Sequence, residues 1–165
     1  MAGGTVAASA ATVANKTLDS RTALTSYLNE TSIQAITPDA SFGPYSFTPQ
    51  KSTFSATDTD GTIEASYNYN TSPGTFAWRY QVNPALCAGG EGATATSDIY
   101  NNGGLVPSTH YSKVGVTPCY GFHASFANNK INTKGNYQLR GTIKWTDGDA
   151  TLTLTFTFSF VITDV

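Results

Sequence analysis

The stretch that decides the fold is Thr151-Leu-Thr-Leu-Thr-Phe-Thr-Phe-Ser-Phe-Val-Ile-Thr163. Side chains of an extended strand alternate between its two faces, whereas a helix would scatter these residues around its circumference. Thr151, Thr153, Thr155, Thr157 and Ser159 share one face. The other face is apolar and consists of Leu152, Leu154, Phe156, Phe158, Phe160 and Ile162. The stretch therefore predicts a long β-strand with one buried face, as in a β-sandwich or barrel.

Two β-hairpins are indicated along the chain. Residues 137–145 alternate in the same way and reach the last strand through a turn containing Asp147-Gly148, and Asp-Gly is a strong hairpin signal. Residues 62–70 and 75–82 form the other pair, with one aromatic face and a turn that contains Pro73-Gly74. About seven to nine strands, mostly antiparallel, are expected. The predicted fold is all-β, a single antiparallel β-sandwich of Ig-like or jelly-roll type over residues 18–165.

The region between these hairpins is predicted to be irregular. Residues 83–111 hold several glycines, asparagines and prolines and are interpreted as a loop. Tyr100 and Tyr111 are the candidates for exposed contacts from this loop. Residues 113–126 return to strand character with Val114, Tyr120 and Phe122 on one face, and Pro118 indicates an edge or a bulge there.

The N-terminal segment, residues 1–17, is predicted to be an arm. Residues 2–16 contain no large side chain, so they cannot anchor a core by themselves. One interpretation is a flexible terminus. The other is an arm that becomes ordered only against another subunit, as an added β-strand. In that case Val6 and Val13 are its main apolar contacts.

Composition limits the partners and the location. Only 12% of the 165 residues are charged and the formal net charge is −2, so no electrostatic footprint for nucleic acid is present. No apolar run approaches the length of about 18 residues that spans a bilayer, so no membrane span is expected. A polar surface made of Thr, Ser, Asn and Gly is common in extracellular, cell-surface and virion proteins, and one of these locations is predicted.

Two cysteines, Cys87 and Cys119, leave two interpretations open. Paired, they close a loop of about 33 residues and stabilise the fold by roughly 3–4 kcal/mol on the chain-entropy model. Unpaired, they are two separate buried thiols.

No motif in the chain indicates catalysis, a cofactor or a metal. Asp58-Thr-Asp-Gly61 lacks the further ligands of a calcium loop and is explained by a turn. His110 and His123 have no zinc-ligand spacing, and there is no Gly-x-Ser-x-Gly elbow. Asn15, Asn29 and Asn70 head glycosylation triplets; such triplets arise by chance in an Asn- and Thr-rich chain and matter only if a glycosylating cell secretes the protein.

Two functions from different classes follow. The first is a non-enzymatic structural subunit that assembles with copies of itself, through β-sheet and arm contacts, into an extracellular filament or a virion as a capsid, decoration or tail component. The alternative is a carbohydrate-binding or adhesive β-sandwich module that recognises cell-surface glycans. An exposed aromatic ring with converging Asn and Asp favours sugar binding, whereas a sheet edge filled by another chain's arm favours assembly.

Overall fold

The structure, a computed structural model, describes residues 39–165 except 116, 128 and 129. The prediction of an all-β fold is confirmed. A four-residue helix, Pro84–Cys87, and a 3-10 turn, Pro118–Tyr120, are the helical elements of this part of the chain. The described residues form ten strands, namely β1 Asp39–Phe47, β2 Thr53–Thr57, β3 Gly61–Asn68, β4 Thr75–Val82, β5 Glu91–Asn101, β6 Gly104–Leu105, β7 Tyr111–Val114, β8 Phe122–Phe126, β9 Gly135–Asp147 and β10 Ala150–Ile162. The predicted arm, with Val6 and Val13, lies outside the described residues.

These strands form two sheets. The larger sheet has the order β1-β10-β9-β5, and β6 and β7 both pair with the outer edge of β5. The smaller sheet has the order β2-β3-β4-β8. β1 runs parallel to β10, and the other described pairs are antiparallel.

The hairpin of β9 and β10 confirms the expectation drawn from the C-terminal alternation. Each strand has 13 residues, and Asp147 pairs with Ala150, so Gly148 and Asp149 make a two-residue turn. The whole predicted apolar face of β10 is buried, from Leu152 to Ile162. The threonines between these residues lie on the outer face of the sheet.

The two sheets share one core built largely from aromatic rings. The predicted hairpin of β3 and β4 is present, and its aromatic residues face the other sheet. Phe76 stacks on Phe160 with ring centroids 4.6 Å apart. Tyr80 stacks on Phe156 at 4.2 Å. Because offset stacking adds to the gain from burial, these contacts fix how the sheets lie on each other.

The loop assignment for residues 83–111 was wrong. β5 is an 11-residue strand inside the larger sheet, between β9 and the short strands β6 and β7. Tyr100 therefore lies on β5 and Tyr111 on β7, rather than on a loop. The signal was weak because the buried face of β5 consists mostly of small side chains, Ala93, Ala95, Ser97 and Ile99.

The apolar face predicted over residues 113–126 is also corrected. β7 belongs to the larger sheet and β8 to the smaller one, so the chain changes sheet between them. The 3-10 turn at Pro118 occupies this crossing. Phe122 is buried as expected, but Val114 and Tyr120 are 74% and 57% exposed. Alternation fails here because the segment is not one continuous strand.

A disulfide joins Cys87 to Cys119. Cys87 ends the short helix between β4 and β5, and Cys119 lies in the 3-10 turn between β7 and β8. Both connections cross from one sheet to the other. The bond therefore links two crossings that are 32 residues apart in sequence.

Candidate functional site

The outward-facing side chains of the larger sheet line up across its strands. At one end of this face Tyr100, Gln138 and Ser159 are paired neighbours on β5, β9 and β10. On the other side of Tyr100 lies Leu105 of β6, which is 58% exposed. Paired residues point to the same face of a sheet with Cβ atoms about 5 Å apart, so this row is one continuous surface.

A groove of about 410 Å³ opens on this row. We call it the Tyr100 groove. Its lining residues are aromatic, aliphatic, amide and hydroxyl residues with one glycine, and no carboxylate or ammonium group is among them. It is lined by Pro44, Tyr100, Asn102, Gly103, Asn136, Tyr137, Gln138, Ser159, Phe160 and Val161.

One wall of the groove is the turn between β5 and β6. Asn101 pairs with Gly104, which leaves Asn102 and Gly103 as the two turn residues. Both have positive φ, 49° and 86°, as a type I′ turn requires and as Asn-Gly readily adopts. The Asn102 N–H donates to the carbonyl oxygen of Asn136 at 2.8 Å, which ties the turn to β9.

The opposite wall comes from β1. Its pairing with β10 shifts between Phe42 and Tyr45, and Gly43 and Pro44 form the irregular step. Gly43 has φ 93°, and a Cβ there would overlap the carbonyl oxygen of Ser159. Only glycine fits this close approach. Pro44 lacks an N–H and is tolerated because β1 is an edge strand among the described strands.

Tyr100 is held in place by charged and polar neighbours. The Arg140 guanidinium carbon lies 4.0 Å from the centre of the Tyr100 ring, which is a cation–π contact. Arg140 Nε and Nη2 both donate to Gln138 Oε1, at 3.0 and 2.8 Å. Gln138 Nε2 in turn donates to Ser159 Oγ at 3.3 Å. These contacts order the floor of the groove without a ligand.

Asp98 and His110 form a hydrogen-bonded pair beside this network. His110 Nδ1 lies 2.9 Å from Asp98 Oδ1, and the His110 side chain is 61% exposed. Asp98 is also the cross-strand partner of Arg140. A Ser-His-Asp arrangement would need a hydroxyl on the other ring nitrogen. In the part of the chain that the structure describes, His110 has no hydrogen bond to a hydroxyl or a thiol.

In the acidic turn before β3, the Asp58 carboxylate accepts hydrogen bonds from the backbone. Asp58 Oδ1 accepts the N–H groups of Asp60 and Gly61 at 2.8 and 3.1 Å, which is an Asx turn. Within residues 39–165, as far as they are described, no three His, Cys, Asp or Glu side chains cluster as metal ligands would. The described helices include none long and apolar enough to cross a membrane.

A second surface lies on the outer face of the smaller sheet. Glu64, Arg79 and His123 are neighbours across β3, β4 and β8, beside the small side chains of Ser66 and Ala77. The depression there is open, and in the part of the chain that the structure describes no hydrogen bond or ion pair joins Glu64, Arg79 and His123 to one another. It is less organised than the Tyr100 groove.

The structure separates the two predicted contact residues. Tyr100 lines the groove, whereas Tyr111 packs edge-on against Trp78 at 5.2 Å. Burial raises the pKa of Tyr111, and a hydrogen bond from the His123 backbone N–H to its hydroxyl partly offsets this. The other groove residues were not singled out from the sequence. The Asn102-Gly103 pair was the one available signal, since it marks a tight turn next to Tyr100.

Comparisons of the chain with protein families, with curated proteins and with solved structures give no match. Function is therefore inferred from the residues and contacts described above.

Proposed function

We propose that this chain is a non-enzymatic structural subunit. It assembles with copies of itself through its N-terminal arm and a sheet edge, into an extracellular filament or a virion, as a capsid, decoration or tail component. The observation that carries the proposal is the outer edge of β2. At this edge Phe54 and Ala56 face the core but are only half-buried, because no described strand lies beyond β2.

We also infer that the two sheets form a single sandwich of Ig-like rather than jelly-roll connectivity. The chain makes a hairpin in the smaller sheet with β3 and β4, crosses to β5, returns at β8 and closes with the hairpin of β9 and β10. This alternation between sheets is the Greek-key path of Ig-like domains. In such a domain the segment before β1 leaves from a sheet edge.

The side chains at the β2 edge favour addition of a strand. Phe54 and Ala56 face the core but are only partly buried. Phe54 stacks on Tyr45 with centroids 4.8 Å apart, and Lys51 Nζ lies 5.2 Å from the Phe54 ring. A strand placed beyond β2 would cover Phe54 and Ala56. Burying apolar area contributes about 25 cal/mol per Å².

The backbone of β2 is also suited to pairing with an added strand. Tyr67 of β3 donates its N–H to the Ser52 carbonyl at 2.9 Å, so Ser52 faces β3. Alternate residues of an antiparallel strand face the same neighbour, so Phe54 and Ala56 also bond toward β3. The backbone groups of Thr53, Ser55 and Thr57 therefore point to the open side. A strand added there gains roughly 0.5–1.5 kcal/mol net for each hydrogen bond.

The arm has the composition and the reach for this role. Residues 2–16 carry no large apolar side chain, and Val6 and Val13 are the largest apolar residues among them. Residues 18–38 connect the arm to β1, and a fully extended chain of that length spans at most roughly 70 Å. The arm of one copy can thus reach the β2 edge of another.

Two variants test the proposal from opposite sides. Deletion of residues 2–16 removes the donor, and Ser55→Pro removes an outward N–H of the acceptor edge without touching the β2–β3 ladder. Ser55→Thr, which keeps the N–H, is the matched control. Light scattering and sedimentation report assembly, and circular dichroism reports folding.

We expect both variants to be folded monomers and Ser55→Thr to assemble like the wild type. Normal assembly by the truncated chain would exclude the arm as donor. Normal assembly by a folded Ser55→Pro would exclude the β2 edge as acceptor. Unfolding of the truncated chain would show instead that the arm is a strand of its own domain.

A further inference from the structure

We propose that the Tyr100 groove is a binding site for a neutral oligosaccharide. This goes beyond the assembly function, since the groove lies on the outer face of the larger sheet whereas the acceptor edge is β2 of the smaller sheet. A site of this kind would let an assembled subunit adhere to a glycan-covered surface.

The chemistry of the lining matches that of a sugar. A pyranose has an apolar face of C–H groups and a rim of hydroxyls that both donate and accept hydrogen bonds. Tyr100 supplies an aromatic ring, of which one face holds the Arg140 guanidinium and the other can receive C–H groups. Leu105 lies beside Tyr100, and Pro44 adds an apolar surface on the far side of Gln138 and Ser159. Asn102 and Asn136 supply amides, each of which can donate and accept.

The charges near the groove favour a neutral ligand. Arg140 stacks on Tyr100 and donates two hydrogen bonds to Gln138, so its cation is already engaged. Asp98 is paired with His110. Neither Arg140 nor Asp98 lines the groove. A sialic acid or a sulfated sugar would find no free cation among the lining side chains.

The dimensions favour a short oligosaccharide over a single ring. The lining residues come from β5, β9, β10 and β1, which are consecutive strands of the larger sheet. Three strand spacings amount to about 14 Å. A volume of about 410 Å³ lies in the range of small-ligand sites.

The groove is also ordered before a ligand arrives. Arg140, Gln138 and Ser159 form a hydrogen-bonded chain that holds the floor, and the Asn102-Gly103 turn is tied to β9. A ligand therefore does not have to order these side chains, which lowers the entropic cost of binding.

The test is saturation-transfer NMR on the full chain with four probes, namely maltotriose, cellotriose, mannotriose and tri-N-acetylchitotriose. Tyr100→Ala removes the ring, Tyr100→Phe keeps it, and Asn136→Ala removes one amide. Tyr120→Ala is the matched control, because Tyr120 is 57% exposed and does not line the groove. Circular dichroism verifies that each variant is folded.

We expect at least one probe to bind, Tyr100→Ala to weaken it at least tenfold and Asn136→Ala to weaken it severalfold. Tyr100→Phe and Tyr120→Ala should bind as the wild type does. Failure of all four probes to bind, or equal binding by a folded Tyr100→Ala, would overturn the proposal. Deletion of residues 2–16 should leave sugar binding unchanged, so the outcome is independent of the assembly experiment.

Discussion

The ring of Phe156 lies over Gly141, its partner on the neighbouring strand β9. A Cβ on Gly141 would overlap this ring. On its other side Phe156 stacks on Tyr80 of the smaller sheet, with centroids 4.2 Å apart and ring planes 3° from parallel. Gly141 thus leaves the space in which Phe156 lies flat between the two sheets.

Gly141→Ala should destabilise the protein even though alanine is the better strand residue. The added methyl group would push the Phe156 ring out of its stack, and overpacking of this kind costs roughly 1–3 kcal/mol. Urea unfolding measures the change. Gly104→Ala is the control, because the nearest atom to a Cβ there is 3.6 Å away. Equal stability of the two variants would contradict the packing described here.

Phe158→Ala should cost roughly 3–5 kcal/mol, since it removes a fully buried ring and leaves a cavity. The side chain has 0% exposure and contacts Tyr45, Phe47 and Phe160. Thr151→Ala, on the exposed face of the same strand, should change stability by less than about 0.5 kcal/mol. A loss below 1 kcal/mol for Phe158→Ala would mean that this face of β10 is not in a core.

The Cys87–Cys119 bond should be present in the purified protein. Alkylation of the denatured, unreduced chain followed by mass spectrometry should find no free thiol. Replacing both cysteines by serine should lower the free energy of unfolding by about 3–4 kcal/mol on the chain-entropy model, for a loop of this length. Two alkylated cysteines in the unreduced sample would rule the bond out.

Stability should fall at high pH because of Tyr80. Burial, and then the carboxylates of Asp58 and Asp60, raise the pKa of Tyr80 far above the usual value of about 10. The stabilising contribution of the neutral phenol is complete below about pH 10 and is lost as pH rises toward the folded-state pKa. In that window the unfolded chain has released a proton that the folded chain retains, so the free energy of unfolding falls by about 1.4 kcal/mol per pH unit.

Tyr80→Phe isolates this effect. Urea unfolding at pH 7, 10 and 11 gives the free energy of unfolding of each protein. Above pH 10 this free energy should decline less steeply with pH in Tyr80→Phe than in the wild type, by about 1.4 kcal/mol per pH unit. At pH 7 the variant should be as stable as the wild type or more stable, because the Tyr80 hydroxyl is buried and has no hydrogen-bond partner among the described residues. Tyr120→Phe is the exposed control. An unchanged alkaline slope in Tyr80→Phe would assign the loss of stability to other groups.

The strands that the sequence predicts well are those that contrast large apolar residues with threonine or other polar ones. β10 and the β3–β4 hairpin carry such alternation, and period two is enough to identify a half-buried strand. β5 was not predicted from the sequence, because its buried face consists largely of the small residues Ala93, Ala95 and Ser97. The large side chains that fill the core beside this face come from other strands, and a local pattern does not record what lies across the core.

The residues of the Tyr100 groove also differ in whether the sequence indicated them. Tyr100 was singled out from the sequence, but Gln138, Ser159 and Pro44 gave no signal, since each is an ordinary residue in its own segment. Sheet register alone brings them together, through the pairing of Tyr100 with Gln138 and of Gln138 with Ser159.

By itself the sequence determined the all-β class and its main hairpins, because alternation and turn residues act over a few neighbouring positions. Only the tertiary structure decided the strand order, the parallel pairing of β1 with β10 and the site. These depend on which distant strands bury each other's faces. Asp39 of the edge strand β1 and Thr155 of β10 are partners, yet no local pattern in either segment specifies that they meet.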